Sequence, residues 1–370
     1  MPAEFEKYWS DLRKHHKRRR HWLPAAVALA RELAGRSGLK YFTLCARSMV
    51  DVFMFVREGL LDYSAGDQMV RNVSFCEMDE ELFPEIKELI GLEDAGFPGR
   101  LEDLALFEDD GLTGQYGTID EVSGALEDEG LPRQSVDMLI TKRRYLQLRG
   151  SFPYDVINLD FCGYYYEPPD ILRINQTVGR FLEWQREAAA YGKIEEFVIF
   201  VTCRHDDRFP PAATEHLKDI ARANYSGHEP YRSYFERTRR LGDIERWANG
   251  DNEDFFLSVW PKEIARLAQR CGWGMEILGY PYYDRVSDGG YPYKIACLVV
   301  RFRNVQSESN YLQVALHALN RDSRELIREI SAESVEGRQL TTDLAAIVEL
   351  RNRHATARNR PILQMPQAGG

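Results

Sequence analysis

An acidic and aromatic motif near the middle of the chain is the best candidate for chemistry. Asp160 closes the short apolar run at residues 156–159, and Tyr164 and Tyr165 follow it. Such a run predicts a strand buried on both faces, and ligands of open α/β sheets bind just beyond the carboxyl ends of such strands. A carboxylate there can accept hydrogen bonds from an amine, and a tyrosine ring can stack on a base. Asp160 and Tyr164 are therefore candidate catalytic residues. A strand-end cap with surface aromatic side chains is the plainer alternative.

Residues with binding chemistry follow three other predicted strands. They are Arg47 after residues 41–46, Glu77 after residues 73–76, and Glu108 and Asp109 after residues 104–107. The carboxyl ends of parallel strands meet at one edge of a sheet, so we expect these side chains to lie near Asp160. A carboxylate such as Glu77 can accept two hydrogen bonds from a vicinal diol, although it would also be an ordinary feature at a helix N-terminus.

Two further sets of residues suggest metal or redox chemistry less strongly. His205, Asp206 and Asp207 follow the predicted strand at 197–202 and could serve as a general base or as metal ligands. Solvated loop charges are the ordinary interpretation. Four of the six cysteines fall near predicted strand ends: Cys45, Cys76, Cys162 and Cys203. Because no C-x-x-C pair occurs, we expect reduced, buried thiols rather than a metal site.

The order of predicted elements is typical of an α/β protein. Predicted strands at 41–46, 73–76, 104–107, 155–160 and 197–202 alternate with predicted helices at 49–61, 80–90, 135–148 and 171–191. Ser48 and Asp51 resemble a capping box at the start of the helix 49–61. After a predicted helix at 255–271, apolar runs at 274–283 and 293–302 flank a Ser-Asp-Gly-Gly turn. We therefore predict a doubly wound, mostly parallel sheet with a C-terminal antiparallel hairpin.

Charge is distributed unevenly along the chain. The formal net charge is −10, which opposes indiscriminate nucleic-acid binding, yet a dense basic run begins at Arg13 and ends at His21. A solvated helix face or flexible arm is one interpretation of this run, and contact with nucleic-acid phosphates or an acidic partner is the other. No apolar run reaches the roughly 20 residues that span a bilayer, and no secretory pattern opens the chain. We expect a cytoplasmic protein.

At residues 38–303, the element order and the strand-end acids resemble the class I S-adenosylmethionine-dependent methyltransferase fold, in which a reversed last strand inserts beside the sixth. In that family the acid that ends the second strand binds the cofactor ribose, which implies this role for Glu77. The acid after the third strand contacts the adenine amino group, which implies Glu108 or Asp109. Amino-methylating members carry an acid or amide, two prolines and an aromatic residue after the fourth strand. Asp160 and Tyr164 keep the acid and the aromatic residue without the prolines.

The first strand departs from the family pattern. The glycine-rich loop of the family is replaced by residues 45–48 (CARS), which contain no glycine. By the resemblance, Arg47 would lie near the amino-acid end of the cofactor. Its guanidinium would either clamp the methionine carboxylate or occupy the space of the cofactor.

The resemblance implies an S-adenosylmethionine-dependent methyltransferase acting on a nucleic acid or another amine-bearing substrate. One alternative is a catalytically inactive scaffold that binds a protein partner, and another is a metal-dependent nuclease or nucleotide hydrolase that uses Asp160 with residues 205–207. The predicted domain has an insertion at about 204–254. It is flanked by a basic helical extension at 1–37 and a helical extension at 304–370 whose last ten residues are expected to be disordered.

Overall fold

The structure is a computed structural model that describes most of the chain. The described residues are 9–33, 36, 38–44, 48–64, 69–79, 81–90, 96–107, 118–126, 132–164, 173–205, 211–239, 244–250, 252–286, 292–304 and 308–365. At 162–164, 205, 211–214, 249–250, 252–253, 292 and 308–309 the description covers the backbone only.

The helices and strands follow one another in α/β order. The strands are β1 Tyr41–Leu44, β2 Tyr63–Ser64, β3 Met69–Val70, β4 Val73–Glu77, β5 Gly96–Pro98, β6 Val156–Tyr164, β7 Glu196–His205, β8 Gly274–Gly279, β9 Pro281–Val286, β10 Pro292–Arg303 and β11 Glu325–Leu326. The helices are α1 Leu12–Lys17, a π-helix Arg18–Trp22, α2 Leu23–Glu32, α3 Val50–Arg57, α4 Leu82–Ile90, α5 Leu101–Ala105, α6 Ile119–Leu126, α7 Arg133–Gly150, α8 Arg173–Ala190, α9 Pro211–Gly227, α10 Glu229–Arg239, α11 Ile244–Gly250, α12 Asn252–Arg270, α13 Glu308–Leu319, a 3₁₀-helix Arg321–Ser323 and α14 Val335–Ala357.

Within the described residues, nine strands form one mixed sheet in the order β11-β9-β10-β7-β6-β1-β4-β5, and β8 also pairs with β10. The five strands from β7 to β5 in this order are mutually parallel. β10 runs antiparallel to β7, and β8 and β9 pair antiparallel with opposite ends of β10. The predicted α/β class with a mostly parallel sheet is therefore confirmed.

Apolar residues cover both faces of this sheet. Along β6, Ile157 and Leu159 belong to one core and Val156 to the other, because successive strand side chains point to opposite faces. The first core packs the sheet against α5 and α7 to α13, and the second packs it against α2, α3, α4 and α14. Burial on both faces explains why the central strands read as continuous apolar runs in the sequence.

The middle of the basic run is buried beside the second core, so the expectation of a solvated helix face or flexible arm is wrong for these residues. The run forms most of α1 and of the π-helix, and its residues from His15 to Arg18 are at most 8% exposed. Trp22, at the end of the π-helix, stacks on Phe200 of β7 with ring centroids 5.0 Å apart and donates a hydrogen bond to Cys297 Sγ. The aromatic anchor explains the burial, since the cations beside it are carried against the sheet.

Acidic residues from distant elements pair with this run. Asp343 of α14 contacts His15 at 2.8 Å, Arg19 at 3.3 Å and Arg57 at 2.6 Å. His16 lies 2.9 Å from Glu336 and 3.1 Å from Glu325, and Glu325 also lies 3.0 Å from His21. The N-terminal segment, defined here as residues 9–33, is thereby tied to α14 and to β11.

Three local predictions are wrong. Residues 101–105 form α5 and not a strand, and the three-residue β5 pairs with β4 in the place expected for the third strand. The N-cap of α3 is Met49 in a left-handed conformation, without a side-chain cap, because Asp51 turns toward the sheet. Residues 361–365 are not disordered: Leu363 exchanges hydrogen bonds with Asn352 of α14.

Within the described part of the charged region at 204–254, helices α9 to α11 pack on the first core through residues such as Leu217, Phe235 and Trp247. In the part of the chain that the structure describes, no helix is long and apolar enough to cross a membrane. A cytoplasmic location stays a prediction.

Candidate functional site

Two of the predicted site residues emerge from one face of the sheet at its carboxyl edge. Phe75, Thr43 and Asn158 form one row across β4, β1 and β6. Glu77 and Asp160 each lie two residues beyond that row, so their side chains point to the same face. Two strand spacings, roughly 10 Å, separate their backbones. The sequence-based expectation that strand-end acids meet at one edge therefore holds for this pair.

Asp160 is bound by lysines of the N-terminal segment. Its carboxylate lies 2.8 Å from Lys14 Nζ and 3.8 Å from Lys17 Nζ. Lys17 is fully buried, donates to Thr202 Oγ1 at 3.1 Å and lies over the Trp22 ring at 4.4 Å. Burial raises the pKa of Asp160, but the two ammonium groups more than offset it and hold that pKa well below its usual range. Asp160 is therefore an ionised acceptor and a weak general base.

A buried acid that the sequence pattern did not single out as a site residue lies beside this ion pair. Asp51 accepts hydrogen bonds from Tyr41 Oη at 2.6 Å, Thr43 Oγ1 at 2.8 Å and Asn158 Nδ2 at 3.1 Å. Tyr41 and Thr43 are two residues apart in β1, so their side chains lie on the same face of the sheet. The only sequence signal was this alternation of hydroxyl-bearing residues within an apolar strand. The sequence did not identify Asp51 as the acceptor of these hydroxyls, because Asp51 matched the pattern of a helix-capping residue.

Glu77 is not the cap of the helix that follows β4. Asp79 caps α4, because its Oδ1 accepts the backbone N–H groups of Glu81 and Leu82 at 2.9 and 3.1 Å. Glu77 Oε1 accepts the N–H of Asp79 at 2.9 Å. A carboxylate has about four acceptor sites, which is the chemistry that binding of a hydroxyl-bearing ligand requires. Glu77 thus lies two residues before the cap, and both the ribose role and the role of an ordinary carboxylate near a helix N-terminus stay predictions.

Several candidates lie outside the described residues. They are Arg47, Glu108, Asp109, Tyr165, Cys45, Asp206 and Asp207, together with the side chains of Cys162, Tyr164 and His205. The backbone of Tyr164 pairs with Arg204 across β6 and β7. Their roles stay predictions.

The metal and redox hypotheses gain no support from the described cysteines. Cys76, Cys203 and Cys297 are buried free thiols, and burial raises the pKa of each. Within the described ranges, no group of three or more histidine, cysteine, aspartate or glutamate side chains is arranged to hold a metal ion. The expectation of inert, buried thiols fits these observations.

Comparison of the chain with protein-family models, with curated proteins and with solved structures gives no significant match. The function of the chain is therefore inferred from the geometry of this sheet edge.

Proposed function

We propose that the chain has a doubly wound, Rossmann-like fold of the methyltransferase type. On this proposal it binds S-adenosylmethionine and transfers the methyl group to an amine-bearing substrate such as a nucleic acid. The observation that carries the proposal is the strand order. Five parallel strands run β5-β4-β1-β6-β7, and the antiparallel β10 lies between β7 and the β8 and β9 segments. This is the arrangement expected when the last strand of a C-terminal hairpin is inserted beside the fifth strand.

The acid after β4 supports the ribose role. Glu77 lies at the carboxyl end of its strand, one strand away from the central β1, and Asp79 has taken over the capping of α4. Ligands of open parallel sheets bind in the crevice where the strand order reverses, which here is beside β1. A carboxylate at that place suits the two hydroxyls of a nucleoside.

The residues on the other side of β1 fit the cofactor less well. Lys14 and Lys17 hold Asp160, and Arg18 lies close by, so that three cations stand where a positively charged sulfonium would have to lie. Like charges in a site of low dielectric constant repel strongly. This observation favours a second candidate function, a scaffold that has lost the cofactor and binds a protein partner.

Calorimetric titration with S-adenosylmethionine and S-adenosylhomocysteine separates the two candidates. We expect binding that Glu77→Gln weakens about 10- to 100-fold, the effect of losing hydrogen bonds to a charged group. Glu81→Gln, an exposed change in the same turn, is the matched control. If the cations repel the sulfonium, S-adenosylhomocysteine, whose sulfur is uncharged, should bind more tightly than S-adenosylmethionine. Lys14→Met should then reduce the difference in affinity between the two ligands. If neither ligand gives a heat of binding at millimolar concentration, the methyltransferase proposal is refuted and the scaffold is the remaining candidate function.

A further inference from the structure

A small polar cavity lies between the N-terminal segment and the carboxyl ends of β1 and β6. Its volume is about 30 Å³. It is lined by Trp9, Lys14, Arg18, Leu44, Ser48, Asp51, Asn158 and Asp160. A cavity with this lining is not an apolar packing defect, because six of the eight residues carry polar or charged side chains.

Arg18 is a buried cation that forms no ion pair within 4 Å among the described residues, and the carboxylate of Asp160 acts on it only at longer range. It is 4% exposed, and its guanidinium makes one long hydrogen bond, 3.4 Å to the carbonyl of Trp9, while its Nε has no acceptor. A buried charge without a counter-ion is costly, and buried polar groups without partners are uncommon in folded proteins. The contrast with Lys14, which lies 2.8 Å from Asp160, is direct.

Asn158, which also lines the cavity, has an acceptor without a donor. It is 2% exposed, and its Nδ2 donates to Thr43 Oγ1 and to Asp51 Oδ2, each at 3.1 Å. The contact with the Asp51 carboxylate fixes the orientation of the amide, since Oδ1 would be repelled there. Asn158 Oδ1 is consequently an acceptor without a donor in the described structure.

Among the described residues in and next to the cavity, cations outnumber carboxylates by one. Lys14 and Arg18 line the cavity together with Asp51 and Asp160, and Lys17 lies behind this lining, 3.8 Å from Asp160. Asp160 is held by the lysines, and Asp51 accepts three neutral donors. A singly charged anion would therefore neutralise the site, and Arg18 is the cation that lacks a directly bound counter-ion.

We propose that this cavity binds a small oxyanion that keeps a hydroxyl group, namely hydrogen carbonate or dihydrogen phosphate. The anionic oxygens accept from the Arg18 guanidinium, which suits planar and tetrahedral oxyanions alike. The hydroxyl donates to Asn158 Oδ1, and Ser48, 6% exposed, lines the same space with its own hydroxyl. The site does not depend on methyl transfer and goes beyond the proposed function.

The test is thermal unfolding of the full chain against increasing sodium hydrogen carbonate, sodium phosphate, sodium formate or sodium chloride at constant ionic strength. Ligands that bind only the folded state raise its stability with the logarithm of their concentration. We expect a saturable rise in Tm with hydrogen carbonate or phosphate, and the better of the two identifies the anion. Formate and chloride, which carry no hydroxyl, should have weaker effects. Equal effects of all four salts, or no saturable effect of any, would overturn the proposal.

Two variants assign the effect to the cavity. Arg18→Met should weaken the apparent affinity about 10- to 100-fold, whereas Arg20→Met, which removes an exposed arginine of the same segment, should leave it unchanged. Ser48→Asp supplies a carboxylate within the cavity. This variant keeps the proposal testable even if Arg18→Met fails to fold. It should be more stable than the wild type without added anion and should no longer respond to the anion. A response of either Arg18→Met or Ser48→Asp equal to that of the wild type would refute the assignment.

Discussion

Removing the charge of Asp160 should destabilise the fold far more than removing the charge of an exposed acid. In Asp160→Asn the shape of the side chain is kept, but Lys17 stays fully buried with only Thr202 and the Trp22 ring as partners. Breaking a buried ion pair from one side costs about 3–5 kcal/mol. We take about 3 kcal/mol, because Lys14, the nearer lysine, is 20% exposed and can turn toward water.

The measurement is equilibrium unfolding in urea, in which the free energy of unfolding is extrapolated to zero denaturant. Asp284→Asn is the matched control: Asp284 also pairs with a lysine, Lys294 at 3.0 Å, but its side chain is 65% exposed. Exposed pairs of this kind contribute less than about 1 kcal/mol. A loss in Asp160→Asn no greater than that in Asp284→Asn would refute the argument that burial makes the Asp160 pair important.

The same variant has a pH signature. The pKa of Asp160 is lowered in the folded state, so its contribution to stability is present above the pKa of an unfolded aspartate, about 4, and is lost as the pH falls toward the folded value. The difference in unfolding free energy between wild type and Asp160→Asn should therefore shrink progressively below pH 4. A difference that stays constant between pH 6 and pH 2 would contradict the ion-pair explanation.

Two further predictions concern the same N-terminal segment. In Gly279→Ala the new Cβ would lie 2.6 Å from Nδ1 of His21, so the ring must move, and we expect a loss of about 1 kcal/mol in urea unfolding. Gly150→Ala, which meets no atom within 4 Å, should show no such loss, and a similar loss in both would count against the contact. If the basic run contacts DNA, Arg20→Ala should lower the slope of log affinity against log salt by about one in fluorescence anisotropy titrations. An unchanged slope would exclude Arg20 from the interface.

The central strands could be predicted from the sequence because their burial is local in character. The strands Val73–Glu77 and Glu196–His205 are rich in apolar residues, and each begins at or next to its predicted first residue. β5 could not be found in this way. It is a three-residue edge strand made of Gly96, Phe97 and Pro98, and two of these residue types are depleted in strands. The apolar residues at 104–107 imitated a strand more closely than the real one did.

The candidate site was only half predictable, for a different physical reason. Glu77 and Asp160 follow from the rule that ligands bind at the carboxyl ends of parallel strands. The burial of Lys17 and Arg18 does not follow from any local pattern, since it depends on Asp160 and on the stacking of Trp22 against Phe200. The local sequence of a basic run is the same whether its side chains are solvated or are buried against acids from distant parts of the chain.

The pairing of the basic run with distant acids has a consequence for how the chain is made. Lys17 bonds to Thr202, 185 positions further on, and His15 bonds to Asp343, 328 positions further on. At a translation rate of about 5–20 residues per second, Thr202 follows Lys17 after roughly 9–37 s and Asp343 follows His15 after roughly 16–66 s. Until the last of these partners is made, part of the cationic stretch lacks its native acids while it is close to the polyanionic surface of the ribosome. We therefore expect this stretch to reach its place in the sheet late in folding, after synthesis of the acids that receive it.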